Sequence, residues 1–202
     1  MHAPVRPLRR PRRRLAALAL AALVFLPAGC SARPAPPVAV APEAAHGAEP
    51  PRPAPLVGLF TRAEIEAELP EWAAALGDSR PDPEAAAALL ALPPGPRVVV
   101  LFGSWCGDSR RELARLWNAF DLAGGEPRFE IVYAGVDRAK AEPAAWVEGR
   151  DLEFVPTFYV ERDGREVGRM VEVSPNGIEI DLLALLTGER SGLVTARTDL
   201  EP

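Results

Sequence analysis

A run of apolar residues, Val98-Val99-Val100-Leu101-Phe102, ends at Gly103-Ser104 and delivers Trp105-Cys106-Gly107-Asp108-Ser109 to the start of a helical pattern. The β-branched run is long enough for a buried strand, and the small residues after it suit a tight corner. Cys106 and Cys30 are the only two cysteines in the chain. Any thiol chemistry of the folded body therefore passes through Cys106.

The residues after the corner alternate in type. Arg97 to Phe102 is expected as a strand, and Gly107 to Phe120 as a helix with Leu113, Leu116, Trp117 and Phe120 on one face. Gly124-Gly125 turns the chain into a second strand, Phe129 to Val136, followed by a short helix around Ala144 to Glu148. Strand Phe158 to Glu161 and strand Glu166 to Val173 flank Arg162-Asp163-Gly164, a hairpin turn signal. Ser174-Pro175-Asn176-Gly177 opens a last helix, Ile178 to Leu186, and the tail after Gly188 reads as polar and loose. The order β-α-β-α-β-β-α implies parallel crossovers first and an antiparallel hairpin last. The expected class is α/β, a mixed β-sheet flanked by helices.

Upstream, residues 56–96 read as an N-terminal helical extension. Thr61-Arg62-Ala63-Glu64 has the form of a capping box, with an apolar stripe of Ile65, Leu69, Trp72, Ala73 and Leu76 behind it. Pro70 divides that segment into two short helices. Pro81-Asp82-Pro83 starts a further helical piece, Glu84 to Leu92, which Pro93-Pro94-Gly95-Pro96 stops.

The first 55 residues have a different character, holding 12 of the chain's 23 prolines. Residues 1–30 read as a signal peptide. Six arginines between Arg6 and Arg14 precede an apolar run of 12 residues, Leu15 to Leu26, where a membrane span needs about 20. Ala28-Gly29-Cys30 resembles the lipobox of bacterial lipoproteins, which implies lipidation of Cys30 and a periplasmic, membrane-anchored protein. Pro27 stands where that motif usually has leucine, and Leu26 lies one position earlier. Ordinary secretion and an uncleaved anchor are the alternatives, and both also export the domain. Residues 31–55 form a Pro/Ala-rich tether. Removing the leader leaves 17 basic and 28 acidic residues, a net charge of −11, which argues against nucleic acid as a partner. With Cys30 lipidated, no internal disulfide is available to Cys106.

Strand, Trp-Cys-Gly-x-x, helix, and then Val155-Pro156-Thr157 opening a hairpin together resemble the thioredoxin family, over about Arg97 to Leu186. Trp105-Cys106-Gly107-Asp108-Ser109 with Arg111-Glu112, and the stretch from Val155 through Asp163-Gly164-Arg165-Glu166 to Gly168-Arg169 and Glu172, are similar to a bacterial group of that family with serine in place of the second cysteine. The resemblance implies a thioredoxin-like domain over residues 97–187, followed by a polar tail at 188–202. It also implies a cis Pro156 whose preceding residue, Val155, offers its backbone to an extended partner. Trp105, Val155 and Thr157 are the expected substrate-binding residues.

A cysteine at the first turn of a helix faces unpaired N–H groups and the positive end of the helix dipole, both of which favour the nucleophilic thiolate. Arg110 and Arg111 add positive charge nearby, and Asp108 opposes it. Ser109 cannot resolve a mixed disulfide, since that step needs a second thiolate. Its expected role is a hydrogen bond to the Cys106 thiolate. In thioredoxins a buried acid lies six residues before the nucleophile, and Val100 stands there in this chain. Ala114 replaces the proline usual in the active-site helix.

The only histidines are His2 and His46, which leaves the domain without an imidazole for Cys-His or Ser-His catalysis or for a metal site. No cofactor is expected. Asp121, Asp163 and Glu172 read as solvated or loop carboxylates. Asp137, after the second strand, is placed at the same sheet edge as Cys106. The expected function is thiol-disulfide exchange through a single nucleophile, with a thiol or disulfide protein or a low-molecular-weight thiol as partner. A peptide-binding module without turnover and a redox sensor are the alternatives.

Overall fold

The computed structural model describes residues 53–200. In chain order the elements are β1 (Gly58–Phe60), α1 (Arg62–Glu68), α2 (Pro70–Ala75), a 3₁₀ turn (Leu76–Asp78), α3 (Pro83–Ala91), β2 (Arg97–Phe102), α4 (Gly107–Ala123), β3 (Glu130–Gly135), α5 (Ala144–Val147), β4 (Thr157–Arg162), β5 (Arg165–Val171), α6 (Ile178–Thr187) and β6 (Gly192–Val194). The strands form one mixed sheet in the order β1-β3-β2-β4-β5-β6. β2 runs parallel to β3 and antiparallel to β4, and β4 and β5 form the expected hairpin. The chain is thus α/β, with a six-stranded mixed sheet.

β2 is the centre because both of its faces are apolar. Alternate residues of a strand point to opposite faces. Val98, Val100 and Phe102 accordingly join a cluster with Leu113, Leu116, Trp117 and Phe120 of α4, Leu182 and Leu185 of α6, Leu89 of α3 and Trp72 of α2. Val99 and Leu101 join a smaller cluster on the other face with Ala134, Val136, Val155 and Tyr159, against which Trp105, Cys106, Trp146 and Leu152 pack. A strand covered on both sides holds the corner that follows it in a fixed position.

The helical extension follows its local signals. Thr61 Oγ1 accepts the Glu64 N–H at 3.2 Å, and the Thr61 N–H is donated to Glu64 Oε2 at 2.7 Å, which closes the capping box. Pro70 starts α2, and Asp82 caps α3 by accepting the Ala85 N–H at 2.8 Å. The Asp163-Gly164 turn has φ of 52° and 72° at its two central residues, as a two-residue hairpin requires.

Two segments differ from the expectation. The start of the helical extension is a strand: β1 pairs antiparallel with β3, Gly58 opposite Gly135. A Cβ on Gly135 would meet the Leu56 carbonyl oxygen at 2.5 Å, so glycine there permits the approach. The tail after Gly188 is not loose. β6 pairs parallel with β5, Gly192 opposite Gly168, and a Cβ on Gly168 would meet the Gly192 carbonyl oxygen at 2.8 Å. Beyond β6, Arg197 pairs with Glu172 at 2.6 Å and lies 3.9 Å from the Phe154 ring centroid. The leader, Cys30 and most of the tether lie outside the described residues.

Candidate functional site

Cys106 occupies the N-cap of α4 with extended backbone angles, φ −99° and ψ 125°. Its N–H is donated to the Gly103 carbonyl at 2.9 Å, and its carbonyl accepts the Arg110 N–H at 3.1 Å, so the corner is one hydrogen-bonded turn running into the helix. No side chain caps the 17-residue helix. The half-buried thiol donates to the Val155 carbonyl at 3.1 Å. The chain therefore brings together the end of β2, the start of α4 and the loop before β4.

The Val155-Pro156 peptide bond is cis, as the resemblance implied. Val155 is 4% exposed, and its carbonyl is occupied by the Cys106 thiol. The thiol takes one of the two acceptor sites of that carbonyl. Thr157 is buried and donates its hydroxyl to the Phe154 carbonyl at 2.8 Å, which shapes the loop rather than presenting a binding group.

Ser109 departs from its expected role. Its side chain is fully buried, and its hydroxyl accepts the Gly103 N–H at 3.1 Å. No hydrogen bond joins it to Cys106. The reason is geometric: β2 ends at Phe102, so the next N–H has left the sheet ladder and needs another acceptor. One turn into α4, the Ser109 hydroxyl supplies it. Val100 lies fully buried in the larger cluster, so the position six residues before Cys106 holds an apolar side chain.

Trp105 is half-buried and lies over Gly103. A Cβ on that glycine would come within 2.9 Å of the indole, so the position admits no larger residue without displacing the ring. The indole Nε1 is buried without a hydrogen-bond partner among the described residues. The Arg138 guanidinium stacks 5.2 Å from the ring centroid. Arg138 was not legible as a neighbour of Trp105, because it arrives on the loop after β3.

The charges near the thiol also sort themselves. Arg111 pairs with Asp108 at 2.8 Å and with Glu112 at 3.1 Å. Asp108 is thus offset by a partner on its own helix, and Arg110 stays exposed. Glu112 is nearly buried, and that burial pushes its carboxyl above the usual range despite the pull of Arg111 and Arg115. Asp137 organises its own loop: it accepts the Ala141 and Glu142 N–H groups at 2.7 and 3.0 Å, and those bonds hold its carboxyl below the usual range. Asp121 is held by Arg62 through two bonds of 2.7 Å.

A cleft of about 690 Å³ opens between the first turns of α4, the loop after β5 and the residues following α2. Gly107 and Asp108 line it, so it begins at the residue next to Cys106. A second cleft of about 360 Å³ lies between Tyr159, Phe154 and Arg169, and Cys106 is not among its lining residues. Among the described residues, no group of three His, Cys, Asp or Glu side chains is placed to hold a metal ion.

No family model matches the chain, and no curated protein matches it. Two solved structures are similar to it at 18% identity. One is a protein of unknown function from Pseudomonas aeruginosa, with a TM-score of 0.45, covering 65% of this chain and 89% of that one. The other is an HIV epitope scaffold, with a TM-score of 0.46, covering 66% of this chain and 94% of that one.

Proposed function

We propose that the chain is an exported thioredoxin-fold thiol protein in which Cys106 is the sole nucleophile of a thiol-disulfide exchange. The observation that carries this reading is the position of Cys106: a half-buried thiol at the uncapped N-terminus of the 17-residue α4, within contact of the residue that precedes the cis Pro156. A helix N-terminus favours negative charge, and thiolate is the attacking species. The parallel β2-β3 pair followed by the antiparallel β4-β5 hairpin supports the thioredoxin-like reading of the sheet.

The chemistry runs in two steps. The Cys106 thiolate attacks one sulfur of a disulfide R–S–S–R′, forms Cys106–S–S–R, and releases R′–S⁻, which takes up a proton. A second, external thiolate then attacks the R sulfur and regenerates the Cys106 thiolate. The second lone pair of the Val155 carbonyl can accept a backbone N–H from an extended partner. Ser109 takes no part in proton or sulfur transfer; its hydroxyl serves the Gly103 N–H. Trp105 and Arg138 form one wall beside the thiol. Lipidation at Cys30 and a periplasmic location belong to the same proposal and rest on the leader sequence.

The test is coupled reduction of a protein mixed disulfide by an external thiol. Wild-type chain is expected to accelerate it, and Cys106→Ser to leave it at the uncatalysed rate. Equal acceleration by Cys106→Ser refutes the proposal.

A further inference from the structure

The cleft beside Cys106 is cationic in a chain whose formal net charge is −5. Arg80, Arg110, Arg111 and Arg115 line it, against the carboxylates of Asp108 and Glu112. Asp108 and Glu112 both engage the single guanidinium of Arg111, and Glu179 pairs with Arg115, which leaves the charges of Arg80 and Arg110 uncompensated. Burial also favours the neutral form of Glu112. Arg80 and Arg110 form no ion pair among the described residues, and Arg80 donates only to the Gly77 and Ser79 carbonyls.

Arg115 is fixed in place. Its Nε and Nη2 donate to Glu179 at 2.9 and 2.8 Å, and Glu179 is fully buried and also accepts the Asp82 N–H at 2.9 Å. A carboxylate held from three sides orients the guanidinium, and its Nη1 edge has no partner among the described residues. Pre-oriented guanidinium groups with free N–H bonds suit carboxylate recognition. A volume of about 690 Å³ is of small-molecule size.

We propose that this cleft binds the carboxylates of a low-molecular-weight thiol that exchanges with Cys106. The inference rests on the reading of Cys106 as an exchanging thiol, and it supplies a second thiol where the described residues hold only one. With a protein mixed disulfide P–S–S–R, in which R–SH is the small thiol, Cys106–S⁻ attacks the R sulfur. This gives Cys106–S–S–R and P–S⁻, which is protonated to P–SH. A second R–S⁻ attacks the R sulfur of the adduct, giving R–S–S–R and Cys106–S⁻. In sum, one protein thiol and one small disulfide form from one mixed disulfide and one small thiol.

The experiment measures adduct formation on Cys106 in the full chain, by mass spectrometry of the Cys106 peptide, with three symmetric disulfides. They are 3,3′-dithiodipropionate (anionic), 2-hydroxyethyl disulfide (neutral) and cystamine (cationic). Each rate is divided by that of N-acetylcysteine amide with the same disulfide, which removes intrinsic reactivity. The expected normalised preference for the anionic over the neutral probe is roughly three- to tenfold at low ionic strength. It shrinks in about 0.5 M salt, and cystamine falls below the neutral probe. Arg110→Glu, at an exposed and unpaired position, abolishes the preference, and Arg80→Gln reduces it. Equal normalised rates for all three probes overturn the inference and leave the exchange reading standing. A preference that survives both variants overturns it as well. No adduct with any probe refutes the exchange reading, and this inference with it.

Discussion

Replacing Ser109 with alanine separates the two roles open to that hydroxyl. The side chain is fully buried, and its one hydrogen bond accepts the Gly103 N–H at 3.1 Å. Alanine leaves that N–H buried without a partner, at a cost of about 1–3 kcal/mol. The better helix propensity of alanine returns at most about 0.5 kcal/mol, so the lost hydrogen bond decides the sign. The expected net destabilisation is roughly 0.5–2.5 kcal/mol, equivalent to a fall in Tm of roughly 1–10 °C for a domain of this size. Thermal and urea melts read the stability, and the second-order rate of Cys106 alkylation by iodoacetamide reads the thiol. The account expects lower stability with an alkylation rate within about twofold of wild type. Unchanged stability with a tenfold slower alkylation refutes it, and returns Ser109 to the thiolate.

The Arg115-Glu179 pair carries a second expectation. Arg115→Met strands the fully buried Glu179 carboxylate, at a cost of about 3–5 kcal/mol. Arg115→Met combined with Glu179→Met is expected to recover most of that loss in a urea melt, because the apolar pair removes the buried charge along with its partner. Glu112 gives a pH signature. Burial raises its carboxyl pKa in the folded chain, so the folded state retains a proton that the unfolded chain has released, and stability from this group is lost as pH rises through the folded value. Glu112→Gln is therefore expected to melt close to wild type at about pH 4 and above it at pH 7. A variant less stable than wild type at pH 7 shows instead that the Arg111 pair outweighs burial.

The parts of the fold legible in the sequence were those with dense local signals. β2 is an unbroken apolar run, the Thr61 capping box and Pro70 bound α1 and α2, and Asp163-Gly164 marks its own hairpin. β1 and β6 were not legible, since three-residue strands are too short to show an alternation. Their pairing depends on Gly135 and Gly168 admitting a neighbouring backbone, a property of the assembled sheet. At the site, the strand-to-helix corner followed from the apolar run and the small residues after it, and the cis Pro156 from the thioredoxin resemblance, whereas the contact of Cys106 with Val155 appears only in the fold. The hydrogen bonding of Ser109 did not, because its acceptor role appears only where β2 ends one residue before Gly103. The Arg138-Trp105 stack and the arginine cleft were hidden for a similar reason. Each is assembled from segments distant in sequence, and the arginines of α4 read as an ordinary charged helix face until Glu179 and the loop after β5 are placed beside them.

In the proposed exchange one thiol begins the reaction and an external thiol completes it. The direct measurement is the lifetime of the Cys106 mixed disulfide in the wild-type chain, followed by peptide mass spectrometry after a pulse of 2-hydroxyethyl disulfide. The account predicts an adduct on the Cys106 peptide that persists after the probe is removed and disappears on addition of a small thiol. Absence of the adduct, or its decay at the same rate without added thiol, contradicts the account.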